Sequence, residues 1–402
     1  MNSIQNEEVM LRLAVTALLT LAAVLCLSCT NKTEAQLSST PDVRYPGWRT
    51  NTAKRSIDLS ELMSGGPPRD GIPAIDRPKF VSITEARAWL REREPVIALE
   101  VEGEARAYPL QILVWHEIVN DEIRGTPVAV TFCPLCYSAI AFDRQLEGRT
   151  LSFGVSGMLR HSDMVMYDHE TESWWQQFTG ESIVGDLTGK RLQQLPAQIV
   201  GFAQFAAAHP EGRVLSRETG HRRDYGRNPY TGYDDINQTP FLFRGRRNER
   251  LPPMEKVVAI EIGGRFKAYP HSITRARRVI HDRVGPQEIV VFHSDGAASA
   301  LDAGDISRSR DAGATGVFDP SVDGRRLQFR YEDGQFVDAE TGSRWNILGQ
   351  AVSGELRGRR LRRITHGDYF AFAWLAFRPE TEIFSAKARP ARKEKRNRPR
   401  LN

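Results

Sequence analysis

Cysteine is scarce in this sequence, with four residues in 402. Cys26 and Cys29 lie in an N-terminal apolar stretch, which leaves Cys133 and Cys136 for the body of the chain. A single Cys-x-x-Cys pair cannot hold a scaffold together by multiple bridges, so a disulfide framework is excluded. Long apolar runs are equally rare. Residues 11–27 form one, broken by Arg12, Thr16 and Thr20, and it is short of the roughly 20 apolar residues of a spanning helix. A polytopic membrane protein is thereby excluded. A large surplus of one charge sign is missing too: 55 Lys and Arg face 50 Asp and Glu, for a net charge of +5. Residues 387–402 alone carry +7, which leaves −2 for everything before them. The basicity belongs to a Pro-containing tail without apolar periodicity, expected to be disordered. That tail is either a solvated end or an electrostatic attachment to anionic lipid or polymer. The body has no basic excess, and no nucleic-acid motif accompanies the charge, so no nucleic-acid partner is expected. A P-loop, a dinucleotide glycine fingerprint, a G-x-S-x-G elbow and an H-E-x-x-H pair are all absent, which removes the chemistries those motifs carry.

What is present begins with an export signal. Starting at Met10, Arg12 supplies a short basic region and residues 13–25 the apolar one. Ser28 before Cys29 fits a lipoprotein cleavage site with Cys29 as the lipidated residue. The chain is thus expected outside the cytoplasm, in the periplasm or cell envelope, peripheral to a membrane through a lipid anchor. Uncleaved anchoring and ordinary secretion are the alternatives.

The remainder is organised by an internal duplication. Residues 96–109 match 257–270, 128–141 match 288–301, 168–175 match 338–345 and 180–192 match 349–361. Residues 202–210 match 370–379. Alternating Val/Ile runs bounded by Gly predict strands over 96–107, 128–133, 150–155, 257–268, 288–293 and 326–331. Short helices are expected after Pro109 and Pro270, and another over 82–92. The predicted fold is β-rich α+β, as two tandem pseudo-symmetric repeats forming a two-lobed body. Its divisions are a leader (1–29), a tether (30–63), an N-terminal loop and helix (64–95), repeat 1 (96–220), an ordered interlobe segment (221–256), repeat 2 (257–384) and the tail (385–402).

The second copy acts as an internal control. Tyr108/Tyr269, Pro109/Pro270, Asp121/Asp282 and Trp175/Trp345 occur in both and read as fold determinants. Cys133, Cys136 and His116 occur only in the first, against His293, Gly296 and Arg277. An insert of about six residues before Asp168 brings Met158, His161, Met164 and Met166. Thiolate, thioether and imidazole are ligands for soft or borderline metals. Cys133, Cys136 and His116 are the expected ligands, with Met166 or His161 as a fourth and copper preferred over zinc. Haem attachment is excluded because Tyr137 stands where C-x-x-C-H requires His. Two other readings stay open. One is a thiol–disulfide exchange module. The other is a non-catalytic envelope binding or scaffold protein with a stapling disulfide, whose Tyr225, Tyr230, Tyr233, Trp174 and Trp175 line a glycan or peptide groove. Asp224, Asp234 and Asp235 lack EF-hand spacing, so no calcium site is expected.

Gly65-Gly-Pro-Pro-Arg-Asp-Gly-Ile-Pro-Ala, His116-Glu-Ile-Val-Asn-Asp, Phe132-Cys-Pro-Leu-Cys-Tyr-Ser, Phe153-Gly-Val-Ser-Gly, Met166-Tyr-Asp, Trp175-Gln-Gln-Phe-Thr-Gly and Asp224-Tyr-Gly-Arg-Asn-Pro-Tyr together resemble an exported bacterial family, domain of unknown function 3179. The resemblance spans roughly residues 64–384. It implies export and a shared fold, with the histidine of the second motif and both cysteines typical, and Asn usual where this chain has His161. It implies no activity, so the chemistry rests on the residues.

Overall fold

In the strand Pro95–Val101, Val96, Ile97, Ala98 and Leu99 are all buried. Side chains alternate across a strand, so continuous burial requires a dry surface on both faces. Val96 and Ala98 join one core cluster with Phe202, Phe205, Phe292 and Trp345. Ile97 and Leu99 join another with Tyr108, Phe132, Val257 and Trp374. The strand Lys256–Ile262 is used in the same way: Val257 and Ala259 face that second cluster, whereas Val258 and Ile260 pack with Tyr269, Val291 and Val317. Both strands turn back through tight two-residue connections. Glu102-Gly103 and Gly263-Gly264 all have positive φ, as a type I′ hairpin turn requires.

The computed structural model describes residues 45–385, all within one compact unit. The expected leader with Cys26 and the lipidation site Cys29, the tether up to residue 44 and the tail from residue 386 lie outside the described residues. Among those described, no helix is long and apolar enough to cross a membrane. The architecture is β-rich α+β: short helices are set between small, mostly antiparallel sheets.

One sheet runs Ala197–Gly201, Pro95–Val101, Glu104–Pro109, Arg213–Leu215, Phe80–Ser82. A later one runs His366–Phe370, Lys256–Ile262, Arg265–Pro270, Glu382–Ile383. Next to the first, Gln194–Leu195, Ser138–Asp143, Thr126–Cys133 and Ile118–Ile123 pair in that order; the order Arg362–Arg363, Ala314–Asp319, Gln287–Ser294, Val279–Val284 follows in the later part. Two further sheets are built on the hairpins Phe153–Arg160/Asp163–Asp168 and Phe329–Glu332/Gln335–Asp338. Helices Leu110–His116 and His271–Arg277 begin directly after Pro109 and Pro270, whose fixed φ suits a helix entry.

The tyrosines, aspartates and tryptophans read as fold determinants take part in side-chain hydrogen bonds. Tyr108 Oη donates to Asp121 at 2.6 Å and Tyr269 Oη to Asp282 at 2.9 Å. Trp175 Nε1 donates to Asp168 at 2.8 Å and Trp345 Nε1 to Asp338 at 2.9 Å.

Two expectations are corrected. The helix over 82–92 contracts to Ile83–Ala86. Ser82 and Glu85 cap its start, but i→i+3 bonds to Glu85 and Ala86 tighten the chain, and Glu94 then accepts the Arg91 N–H at 2.8 Å to close a turn. The match of 128–141 to 288–301 also breaks in space. After Cys136 the chain re-enters the sheet at once, whereas after Ser294 it leaves until Ala314. Gly296, at φ 117°, opens this excursion, its N–H held by Asp311 at 2.8 Å. The excursion also brings the Gly296 carbonyl against Gly201, where a Cβ would sit only 2.0 Å from it.

Trp345→Phe keeps most of the apolar volume but leaves the buried Asp338 carboxylate short of a donor. We expect a loss of about 1–3 kcal/mol in urea unfolding, against a change within about 0.5 kcal/mol for Val352→Ala on the surface.

Candidate metal centre

The strand Thr126–Cys133 delivers Cys133 to the interior, and a tight turn returns the chain. The Cys136 N–H bonds the Cys133 carbonyl at 3.3 Å and Tyr137 takes a φ of 55°. Both thiols are free and enclosed, Cys133 at 1% and Cys136 at 0% exposure. Opposite them lies the turn of the long hairpin. His161 and Ser162, neither of them glycine, both have positive φ, at 53° and 68°, a conformation that L-residues hold at a cost. Ser162 is tied on two sides: its Oγ donates to the Phe241 carbonyl at 2.6 Å, and its carbonyl receives the Cys133 thiol at 3.8 Å.

The turn places Asp163 beside the sulfurs. The two Sγ atoms and a carboxylate oxygen of Asp163 all lie within 4.8 Å of one another. Asp163 is fully buried. Gln176 Nε2 and the Phe178 N–H donate to its Oδ2 at 2.6 and 2.9 Å, and Ser138 Oγ to its Oδ1 at 3.3 Å. Burial outweighs these donors and pushes its pKa up to about 7.

Glu117 adds a second buried carboxyl. It terminates the helix Leu110–His116 at φ 58°, and burial, then the charge of Asp163, pushes its pKa up to about 8. Burial raises both thiols as well, Cys136 the further, and Asp163 adds to each. The leading charges bearing on these four acids are one another's; no lysine, arginine or histidine is among them. Two tyrosines of the 221–256 segment close the surroundings. Tyr233 Oη donates to the Leu135 carbonyl at 3.1 Å. Tyr230 is raised by burial and then by Glu117 and Cys133. Such a cluster either stays protonated or takes a cation.

The expected ligands separate. Cys133 and Cys136 converge. His116 does not join them: Nδ1 donates to the Pro73 carbonyl at 2.7 Å and Nε2 meets Tyr225 Oη at 2.7 Å, so both ring nitrogens are engaged. Burial pushes its pKa down to about 4, the mark of a neutral structural histidine. His161 points elsewhere, its Nε2 3.6 Å from Glu61 and its ring against Phe377. Met164 and Met166 are buried in the same apolar cluster as the cysteines, with Met166 paired across the sheet to Val155 and Trp175. Trp174 and Trp175 are fully buried and line no groove. Asp163 and Glu117 are the residues that sequence reasoning passed over. Both had signals: Asp163 opens an apolar strand inside the insert, and Glu117 follows His116 in its motif.

A family model described as "Protein of unknown function (DUF3179)" matches residues 69–381, which includes every residue of this cluster. The chain belongs to this family. No curated protein and no solved structure matches it.

The raised carboxyl pKa values have a stability consequence. Free Glu and Asp titrate near 4.5 and 3.8, whereas Glu117 and Asp163 titrate at about 8 and about 7 in the folded chain. Between those limits the native state binds more protons than the unfolded one, so stability falls as pH rises. Metal-free protein is expected to show a Tm that declines from about pH 5 to about pH 8. The decline should be shallower in Glu117→Gln, as read by differential scanning calorimetry in chelator.

Proposed function

We propose that this protein binds one divalent, borderline-soft metal ion through Cys133, Cys136 and Asp163. The observation that carries the reading is the convergence of two thiols and a carboxyl within 4.8 Å, with no lysine, arginine or histidine among the leading charges that bear on them. A cation would displace the thiol protons, take up the negative charge, and turn mutual repulsion into shared attraction. Two sulfurs and one oxygen suit zinc better than copper(I), because the hard carboxylate is a poor ligand for the softer ion. Copper, favoured when the third ligand was expected to be His116, becomes the alternative. Glu117 is a further buried carboxyl whose charge bears on Cys133 and Asp163.

The reading also draws on the duplication. We infer that the two parts of the body are tandem, pseudo-symmetric copies, supported by three pairs of sheets whose strand orders correspond except for the edge strands Phe80–Ser82 and Leu62–Ser64, which have no later counterpart. Only the first copy could hold the ion. In the strand register Ser294 stands where Cys133 does, with His293 level with Phe132 rather than with Cys133 as the sequence match placed it; Arg278 takes the place of Glu117, and the shorter hairpin Phe329–Glu332/Gln335–Asp338 has no counterpart of Asp163. Export and lipid anchoring at Cys29 complete the proposal, with the N-terminal segment as their support. A thiol–disulfide role is the second reading, favoured by the Cys136 thiol bonded to Asp163, a ready proton acceptor. Its weakness is access, since both sulfurs are enclosed and exchange with a protein partner needs an exposed one.

Elemental analysis of protein purified without added metal tests the proposal. About one equivalent of zinc is expected in wild type and about a tenth or less in Cys133→Ser/Cys136→Ser, with Asp163→Asn intermediate. His116→Gln is expected to keep its metal. Equal, near-zero zinc and copper in every form would defeat the reading, and a reversible thiol count without metal would favour the redox one.

A further inference from the structure

The 221–256 segment carries a loop rich in arginine. Residues 236–250 hold four arginines and one glutamate, a net +3 in a body without basic excess. Arg244, Arg246 and Arg247 are exposed and have no hydrogen bond, ion pair or ring partner among the described residues. Exposed arginines elsewhere take a carboxylate: Arg325 meets Glu355 at 2.9 Å, Arg326 meets Glu288 at 2.7 Å and Arg359 meets Asp323 at 3.0 Å. A lone exposed arginine also occurs, at Arg357, but three within four positions repel one another, and a bound anion relieves all of them. An open cavity of about 790 Å³ beside them is bordered by Arg246, Arg247, Arg250 and His161, and its lining among the described residues holds a single carboxylate, Glu249.

The loop is fixed from within. Arg250 donates to the carbonyls of Pro379 and Thr381 at 2.6 and 2.7 Å. Leu242 and Phe243 pack on the main core cluster, with the Phe243 ring 5.2 Å from that of Phe372. Leu242 takes a φ of 54°, which an L-residue holds at a cost. Immediately before that bend, Phe241 belongs to no core cluster and is the most exposed large apolar side chain described, at 56%. Its main chain is nevertheless held at both polar groups: the N–H donates to Tyr233 Oη at 3.2 Å and the carbonyl accepts Ser162 Oγ at 2.6 Å. Gly245 adjoins the same turn, where a Cβ would sit 3.0 Å from His161 Nδ1. Phe241 and the arginines therefore flank one hairpin turn, residues 161–162.

Unpaired guanidiniums beside an exposed aromatic ring, on a loop already held in place, complement the surface of an anionic bilayer. Guanidinium forks match phosphate oxygens in pairs, and a Phe ring enters the boundary between headgroups and acyl chains. A small soluble anion would leave the ring in water. We propose that the loop 241–247 docks this protein on an anionic phospholipid surface, which rests on the membrane-peripheral reading for the nearness of a bilayer. Tyr233 and Ser162, which hold Phe241, also bond the thiol turn, through the Leu135 carbonyl and the Cys133 thiol, so the docked face is the one that covers the candidate metal centre.

Brief trypsin digestion of the full chain on vesicles tests the docking, with the cleaved bonds read by mass spectrometry. One vesicle is phosphatidylcholine alone, and the other contains about a quarter phosphatidylglycerol. Cleavage after Arg244, Arg246 and Arg247 is expected to slow about fivefold or more on the anionic vesicle and to recover in about 0.5 M salt. Cleavage after Arg357 serves as the reference for protease drawn to the charged surface. An acyl chain at Cys29 inserts into both vesicles alike, so its absence shows as release from the neutral vesicle, whereas failure of the loop shows as equal cleavage. Arg244→Gln/Arg246→Gln should bring the rates at the remaining Arg247 bond within about twofold on the two vesicles. Phe241→Ser, which keeps its main-chain bonds, should lose about half of the protection or more. Equal cleavage of the three bonds on both vesicles in wild type, protection unchanged in either variant, or protection confined to residues 387–402 would overturn the proposal.

Discussion

The fold depends on drying both faces of two short strands, Pro95–Val101 and Lys256–Ile262. A strand can bury one face with its own neighbours, but the second face needs a surface from elsewhere. Here the surface comes from the distant part of the chain: Val96 and Ala98 meet Phe292 and Trp345, and Val257 and Ala259 meet Phe132 and Tyr369. Two-lobed is therefore a description of the sequence pattern more than of the packing. The thiol centre inherits this arrangement. Cys133 and Cys136 come from an early sheet, yet the Cys136 carbonyl receives the Phe370 N–H at 3.0 Å, and the Tyr137 ring touches Phe370 and Lys256.

Within that shared interior, charge rather than shape singles out the site. Dry cores accept carboxyls when a base or a full set of donors accompanies them. Asp121 follows the rule, held by Arg106 and Tyr108, and so does Asp368, held by His271 and Thr315. Asp163 has donors but no base among its leading partners, and the leading charge on Glu117 is another carboxyl, Asp163. The contrast between satisfied and strained acids within one molecule separates the candidate centre from ordinary buried polarity.

Much of this was legible in the sequence, and the reasons differ by element. Alternating Val/Ile runs ending in Gly turns specify strands because the period of two and the positive φ are local properties. Tyr108, Asp121 and Trp175, each with a match in the later sequence, hold partners within 13 residues, which is why local sequence could single them out. The Cys pair was legible because proximity in sequence guarantees proximity in space. His116 was misplaced for the opposite reason: its residue type suits a metal, but its direction is set by Pro73 and Tyr225, 43 and 109 residues away. Asp163 was hidden because a carboxylate at the start of a hairpin strand looks like turn chemistry until the strand's far neighbours show it to be enclosed.

The approach of Gly201 to the Gly296 carbonyl has a consequence in time. One core cluster joins Ile83 and Val96 to Leu356 and Leu361, so the outer face of the first sheet stays wet until nearly the whole chain has been synthesised. No early fragment can reach the native energy, and contacts so far apart in sequence close slowly. Completing that cluster therefore needs residues nearly 280 positions apart in the chain. At that seam, Gly201, having no Cβ, lets the Gly296 carbonyl close against its backbone.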